Sequence, residues 1–273
     1  MFNHARVTVV SVLRVSLCAG ITCGLASTQV PSNCYGQSAA QREQATGSKA
    51  EAKKKVLRHA VFFTFKDSSS KEDVDRVVDA FRALPSKIKE IREMQLGENI
   101  GRPELSGDLT HCFLLTFDDE QGRAVYLPHP DHKAFGGALR PHLDKVFVID
   151  YWGNPQKGAT EKQLKHAAFF KFREDASEED IQAVEKALAD LPSKIDVIRA
   201  FEWGKNNSPE THDQGFTHCF MFTFDSEDAL REYATHEAHL AAVQVLRPKI
   251  EEVRVLDFWA ENVPTSTQSS SAP

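Results

Sequence analysis

The chain contains an internal duplication, because it aligns with itself without a gap at an offset of 107 residues. Between residues 59–152 and 166–259, 38 of the 94 aligned positions are identical. A period of this length is too long for a solenoid unit, which usually spans about 20–50 residues. The duplication therefore predicts two similar small domains. Each copy alone can bury only a modest core, and packing of the two copies would relieve that shortage.

Four pairs of histidines recur at the same offset, so that eight of the eleven histidines in the chain are doubled. A residue that is present in both copies is less often accidental than one found in a single copy. These histidines are therefore the first candidates for a functional site. The pairs are His59 and His166, His111 and His218, His129 and His236, and His132 and His239.

The N-terminal segment has the pattern of a secretory signal peptide. Arg6 and Arg14 flank and interrupt an apolar run that extends to Ala26, and the first acidic residue is Glu43. The apolar stretch after Arg14 is short for a membrane span. We expect residues 1–40 to be removed, by cleavage near 26–28 or near 38–40, and the protein to be exported to the periplasm or the exterior without stable membrane insertion. An uncleaved anchor and a lipoprotein are the alternatives.

Polar composition divides the rest of the chain. Residues 41–55 and 262–273 are predicted to be disordered, and residues 154–164 form a linker with its own helix and strand breakers. The first repeat accordingly covers residues 56–153 and the second covers residues 165–261.

Charge and cysteine content exclude some partners. The formal net charge is −6 and becomes more negative when the two arginines of the leader are lost, so nucleic acid is not an expected partner. After processing near residue 40, only Cys112 and Cys219 remain, at equivalent positions in apolar runs. This pattern predicts two buried free thiols rather than a disulfide framework.

Each repeat has the sequence pattern of six elements, four strands and two helices. Ser70 is a candidate N-cap for the first helix with Asp73 three residues later, and Gly97 indicates a bulge or bend in the second strand. Pro128 and Pro130 predict a break and a restart in the second helical region. The order is strand, helix, strand, strand, helix, strand, at residues 59–65, 70–84, 91–99, 110–117, 120–140 and 145–152.

This order predicts an α+β fold of tandem ferredoxin-like βαββαβ repeats, with both helices of a repeat on one face of its sheet. The other sheet face is apolar and needs a cover. We therefore predict that the two repeats pair with each other as an intramolecular α/β dimeric barrel.

One strand face in each repeat is expected to point into the barrel. It carries many aromatic side chains, which would crowd the interior and leave little room for a substrate, because small barrels are filled by side chains. The residues of this face are His59, Val61, Phe63, Phe65, His111, Phe113, Leu115 and Phe117, with the equivalents His166, Ala168, Phe170, Phe172, His218, Phe220, Phe222 and Phe224.

Several motifs of the first repeat resemble those of the stress-responsive A/B barrel family, known as Dabb. They are LRHAVFF at 57–63, ALPSKI at 83–88, THCF at 110–113, YLPHPDH at 126–132, LRP at 139–141 and VIDYW at 148–152. The resemblance covers nearly the whole of both repeats. It implies a ferredoxin-like dimeric barrel, made here within one chain.

A branch of that family, the plant polyketide cyclase that makes olivetolic acid, uses a tyrosine and a histidine in a Tyr-x-x-His-Pro-x-His stretch. The resemblance places this catalytic pair on Tyr126 and His132, and by repeat position on Tyr233 and His239. The second copy lacks both prolines of the stretch, which changes the expected orientation of His239.

A histidine can act as a base near neutral pH, and a tyrosine hydroxyl can donate to a developing enolate. Histidines at strand starts or helix N-termini also commonly satisfy backbone groups, which is the competing interpretation of His59, His111 and His129. The candidate residues that line a ligand site are His59, Val61, Phe63, His111, Phe113, His129, His166, Phe170, His218, Phe220 and His236.

No spacing typical of a zinc or iron site occurs within one element, so no metal and no cofactor are expected. The leading hypothesis is an exported protein that binds a small apolar or carbonyl-bearing molecule or acts protectively. The alternatives are a cyclase- or isomerase-like enzyme that uses Tyr126 and His132, and a structural or assembly module without a usable cavity. The geometry of the Tyr126 hydroxyl, His132 and any nearby cavity discriminates among these possibilities.

Overall fold

The computed structural model describes residues 54–155 and 162–265. The signal peptide predicted at 1–40 lies outside the described residues, as do most of the 41–55 segment, residues 156–161 of the linker and residues 266–273 of the tail. Within the two described ranges, no helix is both long enough and apolar enough to cross a membrane.

Both repeats have the predicted order of strands and helices. Each has a short helical turn after its first helix, and the first repeat has one more in the connection between its second and third strands. The first repeat contains β1 (Val56–Phe65), α1 (Lys71–Arg82), α2 (Leu84–Lys87), β2 (Glu93–Glu98), α3 (Pro103–Ser106), β3 (His111–Phe117), α4 (Glu120–Tyr126), α5 (Pro130–Leu139) and β4 (Leu143–Gly153). The second contains β5 (Gln163–Phe172), α6 (Glu178–Ala189), a 3-10 turn (Leu191–Ser193), β6 (Ala200–Lys205), β7 (His218–Phe224), α7 (Glu227–Thr235), α8 (Glu237–Leu246) and β8 (Ile250–Val263).

The helix starts follow from the capping residues of the sequence. The Ser70 hydroxyl accepts a hydrogen bond from the Asp73 amide, and the Asp73 carboxylate accepts one from the Ser70 amide, which completes a capping box at α1. Ser177 and Asp180 repeat it at α6. The predicted break before Pro130 is confirmed, because α4 ends at Tyr126 and α5 begins at Pro130.

The strands form one curled antiparallel sheet of eight strands in the order β4-β1-β3-β2-β8-β5-β7-β6. The repeats join where β2 pairs with β8, through Met94 opposite Val263 and Leu96 opposite Glu261. The two ends of the sheet approach each other, since the Asn207 amide after β6 donates to the Asp150 carbonyl of β4 over 2.9 Å. The predicted pairing of the two repeats as an intramolecular barrel is thereby confirmed.

The barrel interior is lined by the opposite strand face from the one predicted. Cys112 and Cys219 lie in this interior as buried free thiols, as predicted. Both faces of β1 are apolar, so alternation alone does not indicate which face the helices cover. The shared interior contains Ala60, Phe62, Leu109, Cys112, Leu114, Phe147, Ile149, Tyr151, Ala167, Phe169, Phe216, Cys219, Met221, Leu256, Phe258 and Ala260.

The face assigned to the barrel interior in the sequence packs instead beneath the helices of its own repeat. Val61, Phe63 and Phe113 belong to a core that includes Val77 and Phe81 of α1. In the second repeat, the equivalent core contains Ala168, Phe170, Phe220 and Phe222. The aromatic face predicted for the barrel interior therefore lies under the helices, and the interior is filled by other aromatic residues, such as Phe62, Phe147 and Phe169.

Two glycines allow the backbones of the repeats to come together. A Cβ atom on Gly97 would lie 2.5 Å from the carbonyl oxygen of Trp259, and one on Gly204 would lie 2.9 Å from the Cβ of Tyr151. The ladder between β2 and β3 continues in register through Gly97, so the predicted bulge is absent from this strand. Close approach between strands of different repeats is the reason for these glycines.

A buried polar network adds a second connection between the repeats at one end of the barrel. The Arg58 guanidinium donates from Nε to Glu202 Oε1 over 3.0 Å, and the Tyr151 hydroxyl donates to the same oxygen over 2.9 Å. Burial opposes the charged form of Arg58, but the charges of Glu202, Tyr151 and Glu93 and the hydrogen bond to Glu202 together raise its pKa. A buried pair of this kind requires both partners, because either charge alone would be uncompensated.

Gly97→Ala is expected to lower the free energy of unfolding by about 1–3 kcal/mol, because the added methyl group meets backbone that cannot rotate away. The matched control is Gly137→Ala in α5, where a Cβ meets nothing within 4 Å. That variant should be more stable by about 0.5–1 kcal/mol, because alanine favours helix. Chemical denaturation measures both, and equal effects of the two substitutions would contradict the proposed role of Gly97.

Candidate functional site

A cavity of about 320 Å³ lies between the helix-covered face of the first repeat's sheet and helix α5. Its walls are mostly apolar, with a small number of polar side chains at one side. The lining residues are His59, Val61, Phe63, Phe81, Tyr126, His132, Phe135, Gly136, Leu139, Arg140, Leu143, Val146, Val148, Glu210 and His212. Apolar walls with a few convergent polar groups are typical of small-molecule sites.

Tyr126 and His132 come together in this cavity through the break between α4 and α5. Tyr126 is the last residue of α4, and His132 lies in the first turn of α5. Their ring centroids are 4.2 Å apart and the ring planes are inclined by 34°. Pro130 begins α5 and so marks the restart of the helix between the two rings.

The hydrogen bonding of His132 leaves one ring nitrogen able to accept a proton. Its Nδ1 lies 3.0 Å from the Leu127 carbonyl oxygen, which can only accept, so we assign the proton of the neutral ring to Nδ1. The Nε2 atom then carries the lone pair. Burial lowers the pKa of His132, although the bond to the Leu127 carbonyl acts in the other direction. The imidazole is therefore neutral near pH 7 and can accept a proton.

His59 lies beside this pair and is held by a buried carboxylate. Its Nδ1 is 2.7 Å from Asp150 Oδ1, and Arg123 Nη1 donates to Asp150 Oδ2 over 2.6 Å. Burial opposes the imidazolium form, but the charge and hydrogen bond of Asp150 outweigh burial, so the pKa of His59 is raised. The pKa values of the two histidines therefore shift in opposite directions, which suits His59 as the acid and His132 as the base.

A loop of the second repeat completes the cavity of the first. Glu210 and His212 reach it from the connection between β6 and β7. The loop is anchored on β4, because the Asn207 amide donates to the Asp150 carbonyl and the Val148 amide donates to the His212 carbonyl over 3.2 Å.

Thr211, between the two cavity residues, has a left-handed backbone with φ of 59°. A β-branched residue reaches this conformation at a cost on the order of 1–3 kcal/mol. The strain is tolerated because the neighbouring hydrogen bonds to β4 fix the loop, and it turns Glu210 and His212 toward the same side.

Two buried polar atoms in the cavity have no hydrogen-bond partner. They are the Tyr126 hydroxyl and Glu210 Oε2, and the parts of the chain with assigned structure contain no other buried side-chain nitrogen or oxygen in this condition. The nearest charged group to Glu210 Oε2 is His59 Nε2 at 3.7 Å, which is too long for a hydrogen bond. Burial raises the pKa of Tyr126 well above its usual value, so the hydroxyl keeps its proton. One donor and one acceptor are thus left unpaired in the same space.

The second repeat keeps the aromatic pair but not the charged surroundings. Tyr233 and His239 have ring centroids 4.4 Å apart, and His239 Nδ1 lies 3.1 Å from the Ala234 carbonyl, so the loss of both prolines does not separate the pair. His166 Nδ1 is 2.6 Å from Asp257. The positions equivalent to Arg123 and Glu210, however, hold Leu230 and Pro103.

The model of the stress responsive A/B barrel domain matches residues 57–153 and 164–260, which together exceed half of the chain. The chain belongs to the stress responsive A/B barrel family. The sequence relatives described below each have the length of about one repeat, because the alignment covers about one repeat of this chain and nearly the whole of the relative.

Two relatives and one solved structure illustrate the match. A stress-response A/B barrel domain-containing protein of Arabidopsis thaliana is 36% identical over 100 residues, which is 37% of this chain and 92% of the relative. Olivetolic acid cyclase of Cannabis sativa is 26% identical over 95 residues, 35% of this chain and 94% of the cyclase. An anthrone oxidase-like protein has a TM-score of 0.60 at 11% identity, covers 77% of this chain and 92% of its own, and supports the fold alone.

Among the other residues proposed from the sequence of this A/B barrel protein, several lie outside the cavity. His129 and His236 accept hydrogen bonds from the Asp131 and Ala238 amides as N-caps. His111 lies 2.9 Å from the Thr110 hydroxyl, and His218 bonds Glu185 over 3.1 Å. The structure thus assigns helix-capping or strand-end contacts to these four histidines.

Of the remaining candidates, His59, Val61 and Phe63 line the cavity with Tyr126 and His132, whereas Phe113, Phe170 and Phe220 are core residues. His166 forms the equivalent contact with Asp257 in the second repeat. No group of three or more His, Cys, Asp or Glu side chains in the described ranges is arranged to hold a metal ion.

Sequence reasoning missed the charged partners of the site. Asp150 could have been found, because an acidic residue recurs at Asp257 inside an otherwise apolar strand. Arg123, Glu210 and His212 have no such signal, since the equivalent residues differ between the repeats. Their position depends on the packing of one repeat on the other.

Asp150→Asn is expected to lower the pKa of His59, because the largest opposing contribution to burial is then lost. In the wild type the raised pKa gives stability that is fully present below about pH 6.5 and is lost as the pH rises through the folded-state value. The variant should lack this loss. Proton NMR titration of the His59 ring, assigned with His59→Gln, gives the pKa. Asp257→Asn in the second repeat is the control and should leave the His59 titration unchanged; an unchanged titration in Asp150→Asn would contradict the assignment.

Proposed function

We propose that this protein binds a small, largely apolar molecule with a carbonyl group in the cavity of its first repeat. The observation that carries the proposal is the buried Tyr126 hydroxyl, which keeps its proton and has no acceptor within the protein. A buried donor without a partner costs about 1–3 kcal/mol, so an acceptor from a ligand is favoured there. A carbonyl oxygen is a suitable acceptor.

The remaining walls fit the apolar part of such a ligand. Phe63, Phe81 and Phe135 form a contiguous aromatic surface, with the Phe81 and Phe135 ring centroids 4.6 Å apart. The volume of about 320 Å³ is at the lower end of the range for small-molecule sites, about 300–1,000 Å³. A ligand the size of one or two fused rings, or a short acyl chain, has suitable dimensions.

The alternative of a purely structural module is less well supported. It depended on an aromatic strand face that fills the barrel interior, and that face lies under the helices instead. The barrel interior is filled by other residues and supplies the rigid support. The cavity is a separate space, so a packed barrel interior does not exclude a ligand.

Acid–base catalysis on the bound carbonyl compound is the second candidate function. His132 Nε2 would remove a proton from the carbon next to the carbonyl, while the Tyr126 hydroxyl donates a hydrogen bond to the developing enolate oxygen. The enolate carbon would then attack a second carbonyl of the same molecule and close a ring, with the resulting alkoxide taking the proton from His132, or the enolate would take the proton back at another carbon. The ring contact of Tyr126 and His132 favours this candidate, and the relative from Cannabis sativa is a cyclase by name.

Binding and catalysis are separated by two substitutions. Wild type, Tyr126→Phe, His132→Ala and the control His239→Ala are incubated with a metabolite extract, and retained and newly formed compounds are identified by mass spectrometry. Tyr126→Phe should retain the carbonyl ligand about tenfold less, because one hydrogen bond is lost. His132→Ala should retain it and lose product formation by about 100-fold or more if the chemistry occurs. Equal retention by Tyr126→Phe contradicts the binding proposal, and equal turnover by His132→Ala contradicts catalysis.

We further propose that the protein acts outside the cytoplasm after removal of an N-terminal signal peptide. The support is the arrangement of Arg6 and Arg14 about a short apolar run with no acidic residue before Glu43. Expression of the full chain should yield a mature form that begins near residue 27–29 or 39–41 in the exported fraction. Intact-mass measurement checks this, and a full-length chain confined to the cytoplasm would contradict it.

A further inference from the structure

The two unpartnered polar atoms of the cavity come from different repeats. Tyr126 belongs to the first repeat and donates, whereas Glu210 belongs to the second and its carboxylate accepts. Proteins rarely leave such atoms unpaired when they are buried. Their coincidence in one cavity indicates that an occupant supplies both missing partners.

Glu210 Oε2 faces the His59 imidazole but has no hydrogen-bond donor within the described part of the protein. The distance of 3.7 Å from Oε2 to His59 Nε2 is too long for a hydrogen bond. Asp150 binds this imidazole through Nδ1 at 2.7 Å and also pairs with Arg123, so Glu210 adds the second negative charge beside two cations. The charge of His59 attracts the Glu210 carboxylate into the cavity, and the hydrogen bond that Oε2 lacks is left for an occupant.

The loop that carries Glu210 is held in place rather than free to turn away. The Asn206 side-chain oxygen accepts from the Asp150 amide over 3.1 Å and from the Ser208 amide over 3.0 Å. Arg123 donates to the Asn207 side-chain oxygen over 2.9 Å. Both asparagines therefore connect the loop to the charged cluster at the base of the cavity.

Comparison of the two repeats indicates that Glu210 serves the first cavity specifically. The corresponding loop of the first repeat, which approaches the second repeat, has Pro103 in place of Glu210 and Leu105 in place of His212. Each repeat has one histidine–aspartate pair, which is His59 with Asp150 in the first and His166 with Asp257 in the second. The second half has Leu230 in place of Arg123 and so one cation fewer, which means that Glu210 accompanies the extra charge of the first half and brings an unpaired acceptor into its cavity.

We propose that the ligand of the first cavity carries a hydroxyl group in addition to its carbonyl, and that Glu210 accepts a hydrogen bond from that hydroxyl. Glu210 is in this view a specificity-determining residue that one repeat contributes to the site of the other. The proposal rests on the proposed carbonyl-binding function. A neutral hydroxyl is favoured over an ammonium group, because His59 and Arg123 already place positive charge beside Asp150.

The ligand class is therefore a hydroxylated carbonyl compound with an apolar body, such as a phenolic or enolic ketone. Acetophenone and its 2′-, 3′- and 4′-hydroxy isomers are suitable probes, because they share one carbonyl and one ring and differ in the presence and position of the hydroxyl. Ligand-observed NMR titration of the two-repeat protein gives Kd for each compound.

The wild type should bind at least one hydroxy isomer about tenfold more tightly than acetophenone, as expected for a hydrogen bond to a charged acceptor. Glu210→Leu should reduce this preference to less than about twofold, and Glu210→Gln, which keeps an uncharged acceptor and the side-chain size, should leave an intermediate preference. Tyr126→Phe should weaken binding of all four compounds and keep the preference for the hydroxy isomer.

Three results would overturn the inference. Equal affinity of the wild type for acetophenone and every hydroxy isomer contradicts a role of Glu210 but leaves the proposed carbonyl binding intact. A preference that persists undiminished in both folded Glu210 variants assigns the hydroxyl to another residue. Absence of binding of all four compounds to the wild type contradicts the carbonyl-binding function together with the inference.

Discussion

Each repeat has one sheet face covered by its own helices and a second apolar face that only the other repeat can cover. This requirement determines the rest of the molecule. The second faces pack together as the barrel interior, around Phe62 and Phe169, whose rings meet edge to face at 5.2 Å. Gly97 lets β2 approach β8, and Gly204 lets β6 approach β4, closely enough for the sheet to close. Closure in turn places the loop after β6 against β4, and that loop forms one wall of the cavity.

The candidate site depends on a set of charges that are neutralised locally. Asp150 is fully buried between His59 and Arg123, so one carboxylate serves two cations, and Glu210 supplies the second negative charge nearby. Without Asp150 the two cations would be buried together at a high cost. The result is a pair of histidines beside the Tyr126 ring with opposite tendencies, since burial lowers the pKa of His132 while Asp150 raises that of His59. Differences of this kind between neighbouring groups are characteristic of functional sites.

Much of the fold could be predicted from the sequence, because local signals and the duplication agree. The capping box at Ser70, the break at Pro130 and the order of the strands depend on short-range chemistry. The orientation of the strand faces could not be predicted, because both faces of β1 carry apolar side chains. Val61 and Phe63 lie on one face, and Ala60 and Phe62 lie on the other. Tyr126 and His132 were identified through a family resemblance and repeat position. Glu210 could not be identified, since its role arises only when distant segments pack.

Because the two repeats are covalently linked, their sequences can diverge separately. In a homodimer, every substitution occurs in both subunits, so an acid that suits one cavity appears in the other as well. Here Glu210 faces the first cavity while Pro103 stands at the matching position of the other loop. Each loop packs against the opposite repeat, so the surroundings of each half include residues about a hundred positions away in the sequence. Selection on the contents of one cavity therefore acts on the sequence of the opposite repeat, and the two repeats are free to diverge without losing the fold that joins them.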